Sequence, residues 1–271
     1  MQAPRQRPRE GGGRHRHEPD SAALRGTFRW IERYTSGFHS AIGVFLLLGF
    51  VIVVAAAAVL ALIARWIRTD TAQGVDNTVL RWLDASRTGR LDFIMMEITA
   101  LGSGTVVGLM LLVAGTFLWL TRHRYSAVLL GIAVSGGAVL NVILKYFFER
   151  PRPDVFEWLT HATHTSFPSG HATNAVVLYG TLAYLIGRLE PTLQLRRITR
   201  AFALLLILLI GLSRPYLGVH YPTDVIAGFI IGAAWAMVCA LGIEAVRFFQ
   251  ERQPEIERVE KDLDRDSPVA T

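Results

Sequence analysis

The chain has 271 residues, 51% of them hydrophobic and 18% charged, with a formal net charge of +6. A soluble domain carries about 25% charged residues, so the deficit excludes an ordinary soluble domain and a disordered chain. The single cysteine, Cys239, excludes a disulfide framework. The positive charge sits at the ends and joints of long apolar runs, which points to a membrane and away from nucleic acid.

In chain order, residues 1–38 read as a basic, disordered cytoplasmic tail. Ala41–Ala64 carries no charge and, at about 1.5 Å per residue, exceeds a hydrocarbon core of roughly 30 Å. It is the first span, retained because it is too long for a signal peptide. Val79, Leu80 and Leu83 then fall at helical spacing beside Asp76, Arg81 and Asp84, the pattern of an interfacial amphipathic helix. Leu91–Ala100 reads equally as a second such helix or as a plain connection. Leu101–Leu120 and Tyr125–Leu144 are the second and third spans, joined by the basic turn Thr121 to Arg124. Ala172–Gly187 is the fourth, Ile198–Tyr216 the fifth and Val225–Ile243 the sixth. Residues 250–271 form a charged cytoplasmic tail. The expected fold is all-α: a polytopic membrane protein with six transmembrane helices at 39–249 and short interfacial helices. In the last span Gly228, Gly232, Ala236 and Ala240 recur every four positions, a spacing suited to close packing inside the bundle.

The basic residues set the expected orientation. The N-terminal tail, the second-to-third turn and the loop with Arg188, Arg196, Arg197 and Arg200 fall on one side if there are six spans. That side is the cytoplasm, and both termini lie there. The segment from Arg65 to Asp92 also holds five arginines and faces outward, so the asymmetry is moderate.

Three clusters share the outward face. They are Lys145 to Pro153, Ser166 to His171, and Ser213 to Asp224. Ionisable groups at membrane depth mark function by default. Lys145, Arg152 and Arg214 are cations suited to phosphate oxygens. Ser169 and Gly170 precede a helix whose N-terminus can seat an anion. His220 and Asp224 are four apart and share a face if that stretch is helical. The carboxylate can then hold one imidazole N–H and leave the other nitrogen as a nucleophile. His171 is a second imidazole, suited to protonating a leaving oxygen. Singly, each residue has a plainer use. Lys145 can anchor a helix end, Arg150 and Arg152 can be surface charges, and Asp224 can cap the last helix. Pro215, next to Arg214, removes a backbone donor and is expected to bend the fifth span.

Together, Lys145-x6-Arg152-Pro153, Pro168-Ser169-Gly170-His171 and Ser213-Arg214-x5-His220-x3-Asp224 resemble the three-part signature of the type 2 phosphatidic acid phosphatase and vanadium haloperoxidase superfamily. The resemblance implies that His220 becomes phosphohistidine, that Asp224 orients it and that His171 is the general acid. It also implies that Lys145, Arg152, Ser169, Gly170 and Arg214 cradle the phosphate. The implied activity is a lipid phosphate phosphatase of the cell membrane with its site on the extracytoplasmic side. No cofactor or metal is called for, since the motifs hold one carboxylate where a two-metal site needs several acidic ligands. The substrates it suggests are undecaprenyl diphosphate, phosphatidylglycerol phosphate or phosphatidate, with the first slightly preferred. His161 and His164 precede His171 and read as lining the entrance, with no fourth ligand for zinc. Two rivals remain. Haloperoxidase chemistry is disfavoured by the spans. A non-catalytic lipid-phosphate binder or transporter is disfavoured by the His220–Asp224–His171 set.

Overall fold

The computed structural model describes the backbone of residues 21–163 and 165–266. The ends of both expected tails and His164 lie outside the described residues. Nine α-helices and no strand occur among the described residues. They are α1 (Ser21–Trp66), α2 (Asp70–Ala85), α3 (Gly89–Ala100), α4 (Gly104–Leu120), α5 (Arg124–Phe148), α6 (Gly170–Ala175), α7 (Thr181–Leu189), α8 (Leu193–Tyr216) and α9 (Pro222–Asp266). The all-α class is as expected. The chain divides into two units, Met1–Val44 and Phe45–Thr271, and the site described below lies within the second.

Three helices are long and apolar enough to cross a membrane: Gly43–Trp66 within α1, all of α5, and Pro222–Phe248 within α9. The α3–α4 pair passes the same test as one span bent by 48°. The apolar run Leu101–Leu120 is therefore not one helix from its first residue. Ser103 stops it by capping α4, accepting from Val106 N at 3.3 Å. The carbonyls released at this break find donors on the next layer. Tyr179 Oη donates to Leu101 O at 2.9 Å, and Asn174 Nδ2 donates to Gly102 O at 3.3 Å. Gly102 is required there, because a Cβ would lie 2.6 Å from Ile210 Cγ2 and 3.2 Å from the His171 carbonyl.

The fourth apolar run is helical but not uniform, since α6 widens into a π-helical turn at Val176–Gly180 before α7. Such turns gather near functional sites. The last helix packs directly on this stretch. A Cβ on Gly228 would sit 2.7 Å from Ser169 O, and one on Gly232 would sit 3.0 Å from Thr173 O. Gly228 and Gly232 of α9 thus serve contacts inside the bundle. The helix α8 runs through Pro215 to Tyr216.

Leu130 and Ala133 of α5, Val177 and Leu178 of the wide turn, Leu185 of α7 and Ile210 of α8 form the core. Leu109, Leu112, Phe117, Leu204 and Leu208 face outward, as apolar side chains do when lipid is the solvent. In α2, Leu80 and Leu83 are buried as their spacing implies, but Val79 is exposed and Asp76 is turned inward at 1% exposure. Two residues, Val79 and Asp76, therefore lie on the opposite face from the one read from the sequence. The reason is tertiary, because Asp76 has partners in two distant segments.

Candidate active site

His220 lies in the turn between α8 and α9, at 2% exposure. Tyr221 opens α9, with Pro222 at the first helical position, where a missing N–H leaves no bond unmade. Asp224 reaches back so that Oδ2 accepts from Tyr221 N at 2.9 Å, the reciprocal half of a capping box. The same oxygen lies 3.5 Å from His220 Nδ1 and accepts the hydroxyl of Ser166. The contacts needed for capping and for holding the ring, alternatives in the sequence, are both made by one carboxylate. Ser166 Oγ also lies 3.4 Å from His220 Nδ1.

On the other edge of the ring, Arg152 Nη1 lies 3.3 Å from His220 Nε2 and donates to Val219 O at 2.6 Å. A guanidinium can only donate, so Nε2 is the acceptor and the hydrogen sits on Nδ1, toward Asp224. Burial pushes the imidazole down to about 4 from its ordinary value, against the opposing pull of Asp224. Burial also lowers Arg152, and Asp224 again opposes it. The ring is neutral, with a lone pair on Nε2.

The remaining predicted residues converge on this ring. Lys145, in the last turn of α5, donates from Nζ to Thr165 O at 2.5 Å, and Thr165 Oγ1 donates to Lys145 O at 3.2 Å. Arg214 is 4% exposed and donates from Nη1 to Thr99 Oγ1 at 2.7 Å. Its Nε is buried with no hydrogen-bond partner among the described residues. His171 stands half-buried at the start of α6, close enough to Arg214, Arg152 and Lys145 for their charges to bear on it. Ser169 caps α6 with its hydroxyl, and its N–H donates to Asp224 O at 3.0 Å. Of the two N–H groups expected to face an anion, that of Gly170 therefore stays open. The N–H of His171 joins it, since neither has an acceptor among the described residues.

Three contributors were not singled out from the sequence. Arg150 is buried, where the sequence left it as an alternative surface charge. Its Nη1 lies 2.7 Å from Asp224 Oδ1 and 2.8 Å from Thr223 Oγ1, and its Nη2 lies 2.9 Å from Asp76 Oδ2. The Tyr221 ring lies under the guanidinium, 3.9 Å from Cζ. Asp76 also accepts from Thr223, from Oγ1 at 2.6 Å and from N at 3.2 Å. Asp76 and Ser166 complete the set. The Arg-Pro-Arg repeat is a signal that could have drawn attention to Arg150. His161 is exposed, and among the described residues no three His, Cys, Asp or Glu side chains converge as metal ligands.

A neutral imidazole facing three cations suits the transfer of a phosphoryl group, and the apolar helices beneath it set that work at a membrane. The chain is a phosphatase and belongs to the PAP2 superfamily, whose model matches residues 127–247. It is 33% identical over 172 residues to phosphatidylglycerophosphatase B of Bacillus subtilis, covering 63% of this chain and 84% of that protein. It is 33% identical over 148 residues to undecaprenyl-diphosphatase BcrC of Bacillus subtilis, covering 52% and 69%. Among solved structures it resembles the transmembrane PAP2 type phosphatidylglycerolphosphate phosphatase of Bacillus subtilis, with a TM-score of 0.66 and 29% identity. That likeness covers 74% of this chain and 96% of the other.

Proposed function

We propose that the chain hydrolyses a lipid phosphate at the outer face of the cell membrane, through a phosphohistidine on His220 and without a metal ion. The observation that carries this reading is the His220 ring itself. Its Nδ1 is turned to Asp224 and its Nε2 toward Arg152, with the orphaned Nε of Arg214 and the open N–H groups of Gly170 and His171 nearby.

In the first step Nε2 attacks phosphorus in line. An N–P bond forms as the P–O bond to the lipid breaks, and His171 gives its proton to the departing oxygen. Arg152, Arg214, Lys145 and the two N–H groups hold the equatorial oxygens, where charge is greatest. Arg152 passes from Nε2 to the phosphate as the substrate settles. In the second step water attacks phosphorus, His171 takes its proton, and the N–P bond breaks to release phosphate. The fixed cations supply the charge that bound metal ions bring in other phosphatases.

Six spans underlie the orientation: Gly43–Trp66, α3 with α4, α5, α6 through α7, α8 and α9. The site then lies at the outer ends of α5 and α9, with the basic α4–α5 turn in the cytoplasm. Relatives named for a phosphatidylglycerophosphate and for undecaprenyl diphosphate support a monophosphate or a diphosphate lipid as substrate.

The test is phosphate release by purified protein from phosphatidylglycerol phosphate, undecaprenyl diphosphate and phosphatidate, with and without EDTA. The reading expects release unaffected by chelator, with an acid-labile, alkali-stable phosphoprotein after rapid quenching. Activity abolished by EDTA overturns the metal-free step, and full activity of His220→Ala overturns the nucleophile. A tag in loop 154–163 should be labelled on intact cells. Labelling only after lysis overturns the orientation.

A further inference from the structure

The end of the bundle away from His220 holds a second cationic site. A cavity of about 330 Å³ opens between the α4–α5 turn, the end of α7 and the middle of α9. Arg122, His123, Arg188 and Arg247 line it, with the phenol of Tyr184. Along α5, the stretch from Ser126 to Lys145 measures roughly 28 Å, and along α9, from Asp224 to Arg247, roughly 34 Å. Both helices thus set the cavity about one hydrocarbon thickness from the catalytic ring. One lipid headgroup cannot reach both.

We propose that this cavity binds the phosphate headgroup of an anionic phospholipid that is not the substrate. The charge balance carries the inference. Among the described residues the acid beside the cavity is Glu244, and it is already paired with Arg188 and with the Tyr184 hydroxyl. Arg188 Nη1 also donates to Tyr184 Oη at 3.0 Å. His123 Nδ1 lies 3.2 Å from Thr121 Oγ1. Arg122 and Arg247 have no ion pair among the described residues. Two guanidiniums without an ion pair among the described residues therefore face one space, and they present the planar donor sets that phosphate oxygens accept.

The backbone at Arg122 points the same way. This residue stands just past the end of α4 with φ of 66°, a left-handed position that glycine fills at least cost. Holding an arginine there carries a conformational penalty, of the kind that local structure retains where the side chain has work to do. Leu129, Leu185 and Ile243 supply an apolar floor, which suits the first carbons of acyl chains and favours a lipid over free phosphate. In the proposed topology this end meets the cytoplasmic leaflet, where basic pockets between helices receive anionic headgroups.

The proposal needs only the membrane reading, and its test reads binding, so it succeeds or fails separately from the catalytic reading. Full-length protein in neutral detergent is titrated with phosphatidylglycerol, phosphatidylcholine or inorganic phosphate, and thermal midpoint and native mass spectra are recorded. Phosphatidylglycerol should raise the midpoint and remain bound, while phosphatidylcholine and inorganic phosphate do neither. Arg122→Gln combined with Arg247→Gln should bind phosphatidylglycerol about 30-fold more weakly, with an unchanged lipid-free midpoint because neither side chain has an ion pair among the described residues. Arg152→Gln, in the catalytic site, should leave the lipid effect intact. Equal binding by wild type and the double variant overturns the site. An equal response to inorganic phosphate overturns the lipid, and loss of the effect in Arg152→Gln reassigns it to the catalytic pocket.

Discussion

Arg150 Nη1 lies 2.7 Å from Asp224 Oδ1, and the second nitrogen of the same guanidinium lies 2.9 Å from Asp76 Oδ2. One buried cation thus ties α2 to the carboxylate that lies beside His220. Removing one partner of such a cluster leaves charge buried without compensation, at about 3–5 kcal/mol. Arg150→Ala should lower stability by about that amount in denaturant titrations, because it strands two carboxylates. Lysine has one ammonium in place of a planar fork, so Arg150→Lys should recover only part of the loss. Asp76→Asn, which keeps the shape, should reduce kcat by about tenfold or more, by analogy with other residues that orient a catalytic group through a partner.

Uncatalysed hydrolysis of phosphate monoesters is among the slowest known reactions. Loss of the attacking nitrogen in His220→Ala should therefore leave phosphate release at background in a steady-state assay. Arg214→Ala removes one donor to the equatorial oxygens and should cost about 10²–10³-fold in kcat. Its binding of product phosphate should weaken as well.

The pH dependence follows from His220. A protonated imidazole cannot attack phosphorus, and burial delays protonation of this ring until about pH 4. The acid limb of kcat/KM, which reports the free enzyme, should fall near pH 4 and not near the ordinary histidine value of about 6.5. Asp224 acts to raise the imidazole value. In Asp224→Asn the limb should move lower as the rate drops. Stability follows the same sign. Between about pH 6.5 and 4 the unfolded histidine takes up a proton that the folded one refuses, so acidification over that window favours unfolding.

A methyl group on Gly228 would meet Ser169 O at 2.7 Å and Ala172 Cβ at 2.9 Å. Gly228→Ala should therefore push α9 off the start of α6 and stretch the bond from Ser169 N to Asp224 O. Overpacking of this kind costs about 1–3 kcal/mol. Activity should fall further than the drop in thermal midpoint implies, because the displaced backbone carries Asp224.

The candidate groups that the structure gathers around His220 were legible because they break a local rule. Lys145, Arg152, Arg214, His220 and Asp224 are charged or polar residues bordering apolar runs, and their spacing is short. Asp76 follows the local rule, since an acid on an amphipathic helix looks like a solvated face. Its burial depends on Arg150 and Thr223, which are far away in the chain. Ser166 is equally unremarkable until the Asp224 carboxylate is placed beside it. The spans show the same division. Gly43–Trp66 and α5 are announced by hydropathy alone. The bend between α3 and α4 and the wide turn before α7 interrupt uncharged sequence, where hydropathy stays flat and geometry is set by neighbouring helices.

An interrupted helix in lipid has to satisfy the backbone groups that its break releases. Here Tyr179 and Asn174 supply the donors for the break at Leu101 and Gly102. Both belong to the helical stretch that begins with Gly170 and His171. The bend is thus a ledge on which His171 rests, and the histidine's own helix holds the ledge in shape. Straightening α3 into α4 would strand two donors and remove the support in one movement. An inhibitor wedged at Gly102 would accordingly disarm the enzyme without touching phosphorus.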